Sequence, residues 1–569
     1  MVKRRQIFMK PLRLLSPHSR LLPIPIFSAA FILLCMSVRL SHSFLRSSWS
    51  TRRFIGRFVT TSPTNSAKLS TDTNTNTNTN TNTRMADRSP PIVVVIAGPT
   101  AAGKSDVAAR VCSQQKGMIV SADSVQAYRG VQIGANKPST EEREETPHIL
   151  IDVADHVENY NAAEWREDAI FCIQTLLGRS NQEQENSATT PSADSNRRNE
   201  IKEYIHKSRL DKGYTGDDGG GGQEQVEKVL PVVCGGTMMY LQWLVHGRPD
   251  AMRPTPTAVE ISYKTIQEYQ DNDNDYEGAV KHVSSFDKIF AERAQQLTTG
   301  DWYRLRRTLE IALTVEEERK KSQDESDSSS RVDSLVEKLY SGQREGSLAS
   351  LGFDVRCFFL CPDDRMSHTR VVDKRCEQML TRGLLNETTD LSLSGCLPEM
   401  AERAIGYRQT LDYLNREHKK TDGNEGEGTY TEEDAFEFYL NEFTTATRRY
   451  AKKQMAWFRK DKEFMFIPVS LKLDKPDRVN AAANAINRLC QLSREDYENE
   501  LFGGDEYISG KTKRENEEQG KTMKFYIPER HLLTPGSKEY ENVLAEAVDC
   551  RQRVRANNDK KRSREGESK

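Results

Sequence analysis

The segment Ile92 to Ser105, IVVVIAGPTAAGKS, decides the fold of this 569-residue chain. The β-branched run from Ile92 to Ile96 has the composition of a strand buried on both faces of a parallel sheet. Gly98-x4-Gly103-Lys104-Ser105 follows at once, and DVAARV then opens a helix. In such a strand, glycine loop and helix, backbone N–H groups and the helix N-terminus converge on one spot and attract phosphate. Lys104 adds a point charge there, and the Ser105 hydroxyl can hold Mg²⁺. The pattern names a phosphate, not a reaction. In an NTPase a second strand ending in Asp holds the metal, and HILIDVAD offers Asp152; the same run is equally an ordinary strand with a terminal Asp.

Outward from that loop the expected architecture is α/β: a P-loop NTPase-like parallel sheet flanked by helices, with a helical insertion domain and a helical C-terminal extension. The core should occupy 91–250, broken by a disordered insertion at 180–226 that contains GDDGGGG. Residues 251–300 alternate charged and apolar side chains at helical spacing and read as the inserted helical domain. The remaining core and C-terminal helices fall in 301–470, with a linker at 316–348 that includes KKSQDESDSSS, and 471–569 reads as a mostly polar tail.

One βα unit after the loop stands GMIVSADSVQAYRGVQIGANKP, Gly117 to Pro138. Six blocks follow in order: PHILIDVAD, CGGTMMYLQWLVHG, DWYRLRRTLEIAL, RVVDKRCEQMLTRGLL, RAIGYRQTLDYL and TRRYAKKQMAWFRKD. Together they resemble the tRNA dimethylallyltransferases (tRNA isopentenyltransferases), over 92–466 with the low-complexity insertions left out. The resemblance implies that N6 of adenosine 37, beside the anticodon, attacks C1 of dimethylallyl diphosphate and that diphosphate leaves without consumption of ATP.

By the same resemblance Gly98, Thr100, Ala101, Ala102, Gly103, Lys104 and Ser105 hold the substrate diphosphate, with Mg²⁺ on Ser105. Arg375, in Arg-x-x-x-Met-Leu, joins them, since a guanidinium binds two phosphate oxygens at once. Arg370 is not carried over, because it precedes Arg375 by five residues where the family has four. Asp123 is the expected general base, and Thr237 of Gly235-Gly236-Thr237 stands where the two substrates meet. The catalytic set is thus Asp123, Thr100, Lys104, Arg375 and Thr237. Met238, Met239, Tyr240 and Trp243 read as core rather than prenyl pocket.

A stacked anticodon base cannot present N6 to C1, so it must be extruded toward a positive surface. Thr447 to Lys460 holds six Lys/Arg and no acid, interleaved with Tyr450, Trp457 and Phe458. Asp123, Ser124, Val125, Gln126, Thr237, Arg304, Arg307, Arg448 and Lys452 are the expected contacts to the tRNA anticodon stem-loop. Two other readings share the loop: an adenylate isopentenyltransferase making free cytokinin, and a P-loop RNA-binding protein. RAIGYRQ and AKKQMAWFR favour the tRNA enzyme, and a monomer is expected.

Composition bounds the rest. With 36% apolar and 29% charged residues and a mean hydropathy of −0.72, the chain has more length than core. That excludes a transporter and a compact single-domain enzyme. The net charge of −2 averages a basic leader against acidic linkers, and the ten cysteines form no CxxC pair. The tail after Asp474 holds just Cys490 and Cys550, so no zinc finger is expected. Met1 to Ser70 contains no Asp or Glu and reads as a targeting segment, followed over 71–90 by a disordered Thr/Asn linker. Mitochondrial import, plastid import by a signal-plus-transit pair, or a single anchor fit that leader; no stable membrane association is expected once it is removed. Met85 offers a second start for a cytosolic form. A fusion of Met1–Met85 to a fluorescent reporter is expected to enter a mitochondrion or plastid, and diffuse cytosolic signal would count against a targeting role.

Overall fold

The strands, in chain order, are β1 (Ile92–Ala97), β2 (Gly117–Ala122), β3 (His148–Ile149), β4 (Leu230–Gly235), β5 (Arg248–Pro249), β6 (Arg344–Glu345), β7 (Asp354–Pro362) and β8 (Phe464–Val469). The computed structural model describes residues 89–179, 193–214, 228–249, 254–321, 344–416, 431–503 and 513–567, and the expected leader lies outside the described residues. Six strands make one sheet in the order β3-β2-β4-β1-β7-β8, every neighbour parallel. The central place of β1 explains its unbroken apolar run: Val93, Val95 and Ala97 enter the core on one face, Val94 and Ile96 the core on the other.

Helix α1 (Lys104–Gln115) covers one face, burying Val107, Ala108, Val111 and Cys112. Helix α2 (Ala162–Leu176) covers the opposite face with Trp165, Ala169, Cys172 and Ile173. Helix α3 (Ala193–Asp211) lies within the stretch expected as a disordered insertion, 180–226, and corrects that expectation in part. It docks through Ile201 and Ile205, buried in the core, and through arginines, which composition counts as solvated: Arg197 pairs with Glu158 and stands over the Tyr160 ring, and Arg209 donates to the Thr175 and Leu176 carbonyls. Helix α4 (Met238–His246) follows β4 and buries Tyr240 stacked on Trp165, ring centroids 4.4 Å apart. Met239, expected in the core, is 48% exposed.

The inserted domain is larger than the expected 251–300. Helices α5 (Pro256–Asp271), α6 (Tyr276–Ser284), α7 (Lys288–Gln295) and α8 (Trp302–Lys321) share one apolar core, to which α8 gives Leu305, Leu309, Ala312 and Val315. The boundary therefore falls after Lys321, because the apolar stripe of α8 faces the bundle. The antiparallel pair β5 and β6 closes the base of this insertion.

Helix α9 (Arg365–Thr381) leaves β7, and the long helix α10 (Glu432–Phe458) leads into β8. Helices α11 (Lys475–Cys490) and α12 (Arg494–Gly503) then complete the α1 face of the sheet with Ala482, Ala483, Ile486, Leu489, Tyr497 and Leu501. Helix α13 (Lys538–Glu567) buries Tyr540, Val543, Ala547 and Cys550 in the other core. The expected polar tail, 471–569, is therefore substantially folded. One apolar stripe suffices to seat a helix, and averaging over a hundred polar residues hides it. Among the described residues no helix is long and apolar enough to cross a membrane.

Ile486 is fully buried between α11 and the sheet. Ile486→Ala should lower stability by about 2–5 kcal/mol, the usual range for a buried aliphatic cut to Ala. Thermal unfolding checks it; an unchanged midpoint would mean that residues past 471 are not part of the core.

Candidate active site

The site forms at the carboxyl ends of the strands, where open parallel sheets place their ligands. The loop after β1 turns through left-handed backbone at Ala101 (φ 63°) and Gly103 (φ 83°), which aims N–H groups inward and starts α1 at Lys104. Lys104 Nζ donates to the Pro99 carbonyl at 2.9 Å. Gly98, Ala102 and Ser105 lie where the motif puts them, with Ala102 buried and the Ser105 side chain exposed at the helix start.

Two residues that the sequence reading missed hold this loop. The buried amide of Gln454 on α10 accepts from the Thr100 N–H at 2.8 Å and donates to the Gly236 carbonyl at 2.9 Å. His368 on α9 contacts the Thr100 carbonyl through Nε2 at 2.9 Å. Both backbone groups of Thr100 are thus occupied, so its hydroxyl is what it has left for a ligand. A Cβ at Gly236 would lie 2.5 Å from Gln454 Nε2, so a side chain there would push the bridging amide aside.

Asp123 follows β2 directly. Its Oδ1 accepts from the N–H groups of Val125 (2.9 Å) and Gln126 (3.3 Å), a turn that fixes the side chain. Capping and catalysis are not rivals here, because one oxygen holds the turn and the other is left for a substrate. Thr237 ties this turn to β4: its N–H donates to the Ala122 carbonyl and its hydroxyl accepts from Ser124 N–H at 3.2 Å. Arg375 on α9 has no ion-pair partner among the described residues, and Asp123 acts electrostatically on both Arg375 and Lys104. Burial lowers the Arg375 guanidinium from its ordinary value. Burial and the neighbouring Arg375 together bring the Lys104 ammonium down to about 8, against opposing pulls from the Cys234 thiol and the Asp123 carboxylate. Arg382 and Asp106 also act on Arg375, so three cations face two carboxylates and the balance leaves positive charge for an anion.

Other expected contacts have partners within the chain. Gln126 accepts from Ser121 and donates to the carbonyls of Ala135 and Asn136, and Val125 packs against the core. Arg307 and Arg306 both pair with the buried Glu310, and Arg304 pairs with Asp301. Arg448 is bound to the buried Asp373 at 2.7 Å. Lys452 is exposed, beside Arg449, Lys453 and Trp457 on the outer face of α10. Asp152 is no metal ligand: at the β3 edge of the sheet it is paired with Lys137 (2.6 Å) and Arg143 (2.9 Å).

The IPP transferase family model matches residues 126–182 and 223–461, more than half of the chain. This chain belongs to the IPP transferase family. Among curated relatives of this IPP transferase, tRNA dimethylallyltransferase 9 of Arabidopsis thaliana is 32% identical over 395 residues, covering 67% of this chain and 72% of that protein. The tRNA dimethylallyltransferase of Protochlamydia amoebophila is 28% identical, covering 67% of this chain and 84% of the relative. A solved eukaryotic dimethylallyltransferase acting on tRNA is 20% identical with a TM-score of 0.43, covering 73% of this chain and 85% of that one. The tRNA isopentenylpyrophosphate transferase of Bacillus halodurans is 21% identical with a TM-score of 0.37, covering 70% of this chain and 96% of the other. The family match begins at Gln126, just past the phosphate loop and Asp123.

Because Lys104 loses its charge above about pH 8, the affinity for inorganic diphosphate should fall as pH rises through that value. The decline should approach, and not exceed, about tenfold per pH unit, as for one linked proton. Titrations from neutral to alkaline pH check this; the same inflection in Lys104→Met would assign it to another group.

Proposed function

We propose that this chain transfers the dimethylallyl group of dimethylallyl diphosphate to N6 of adenosine 37 in tRNA, giving N6-isopentenyladenosine and diphosphate. The observation that carries it is the meeting of Lys104, Arg375 and Asp123 at one end of the sheet, in a chain of the IPP transferase family.

Each residue has a task in that displacement. The loop N–H groups, Lys104 and Arg375 hold the diphosphate, and they stabilise the charge that grows on the bridging oxygen as the C1–O bond breaks. N6 forms its bond to C1 from the opposite side. The surplus N6 proton passes to the Asp123 oxygen that the turn does not use. Thr237, fixed between Ala122 and Ser124, presents a hydroxyl beside Asp123 and orients the incoming base. Ser105 Oγ, at the start of α1, is the group the protein offers to an Mg²⁺ that arrives on the diphosphate. When bound there, Mg²⁺ would neutralise diphosphate charge.

The tRNA side of the reading rests on the outer face of α10, where Arg449, Lys452, Lys453, Trp457 and Lys460 are exposed together. Basic groups interleaved with an aromatic ring suit phosphates and an unstacked base.

The test is labelled dimethylallyl diphosphate offered with unmodified tRNA or with AMP. Label should enter tRNA at adenosine 37; label on AMP alone would establish a free-cytokinin enzyme, and no transfer would favour an RNA-binding protein. Asp123→Ala should lower turnover by about 10²–10⁴-fold, the range for loss of a general base. A near-normal rate would remove Asp123 from that role.

A further inference from the structure

Helix α9 has two working faces. His368 and Arg375 are seven residues apart, about two turns, and so share a face; it touches Thr100 of the phosphate loop and presents Arg375 toward Asp123. Thr369, Arg370, Asp373 and Glu377 lie about 100–200° away around the helix. A single stretch of chain, far beyond the residues that the family model matches, runs along that second face.

The contacts follow one another in order. Gln519 Nε2 donates to the Asp363 carbonyl just ahead of α9, and Met523 meets the Thr369 hydroxyl. Glu529 lies 3.8 Å from Arg370. The Tyr526 hydroxyl donates to Asp373 Oδ2, the oxygen that also accepts from Arg448. The fully buried Glu377 carboxylate accepts from three consecutive backbone N–H groups, His531, Leu532 and Leu533, at 2.5–3.2 Å. Arg530 anchors the same stretch to Glu437 and Asn441 of α10. Apolar burial does not hold the middle of this segment down, since Phe525 and Ile527 are 80% and 76% exposed. Its grip is polar, directed at α9 with one anchor on α10.

We propose that residues 519–533 form a strap that positions Arg375 for the diphosphate. Asp373 and Glu377 each lie two residues from Arg375, on the far side of the helix, so the contacts that hold them fix the rotation and the axial position of α9. Arg375 has no ion-pair partner among the described residues, so its placement in the cleft depends on the helix. Tyr526, Asp373 and Glu377 are positioning residues, which touch no substrate and act through Arg375. The proposal rests on the reading of Arg375 as a diphosphate ligand.

The test is a double-mutant cycle on the full-length protein, read by calorimetric titration with inorganic diphosphate and by steady-state prenyl transfer. Tyr526→Phe keeps the ring near Arg448 and removes one hydroxyl. It should weaken diphosphate binding, and raise KM for dimethylallyl diphosphate, by about 3- to 10-fold, as expected within one contact network. KM for tRNA should stay unchanged. Combined with Arg375→Ala, Tyr526→Phe should cause no further loss. Unchanged diphosphate affinity in Tyr526→Phe, or losses that add fully to those of Arg375→Ala, would overturn the strap. Glu377→Gln offers the same cycle at the second anchor. Diphosphate binding without prenyl transfer in the unmutated protein would refute the proposed reaction and leave the strap test intact; no diphosphate binding would overturn both.

Discussion

Lys104 and Arg375, both partly buried, come together at the carboxyl end of one parallel sheet, with the Asp123 carboxylate acting on both. Uncompensated positive charge in a protein-lined cleft is unfavourable until an anion fills it. Much of the surrounding structure serves to keep those three side chains in place. The left-handed turns at Ala101 and Gly103 bring Lys104 to the start of α1, the Asp123 turn is pinned by its own Oδ1, and α9 carries Arg375 in from the side.

The site is thus assembled from distant parts of the chain. Gln454 bridges Thr100 to Gly236 with a single buried amide, so the phosphate loop, the β4 turn and α10 cannot shift independently. His368 adds α9 to the same knot. The inner face of α10 therefore holds the glycine loop, while its outer face displays Lys452, Lys453 and Trp457 to solvent. In the proposed reaction one helix would serve both substrates.

How much of this could be read from the residues depends on how local the signal is. The phosphate loop, its strand and its helix are consecutive, and the Asp123 turn closes within three residues, so both were legible. Gln454 was not, because its partner Thr100 is 354 residues away and nothing in AKKQMAWFR distinguishes an amide aimed inward from the lysines aimed outward. The partner of Arg448 was hidden for the related reason that a basic run does not reveal the buried Asp373 that pairs with one of its members. Helix α3 and the folded tail escaped because arginine-mediated docking and narrow apolar stripes vanish in an averaged composition.

The most direct measurement is a crystal structure with a non-reactive thio analogue of dimethylallyl diphosphate. The account places the diphosphate oxygens against Lys104 and Arg375, with C1 facing the unused oxygen of Asp123. The amino ends of the strands hold an open cavity of about 1040 Å³ lined by Ser89, Lys228, Asp354 and Arg494 among others. Density for the analogue in that cavity, or on Lys104 with Arg375 turned away, would contradict the account.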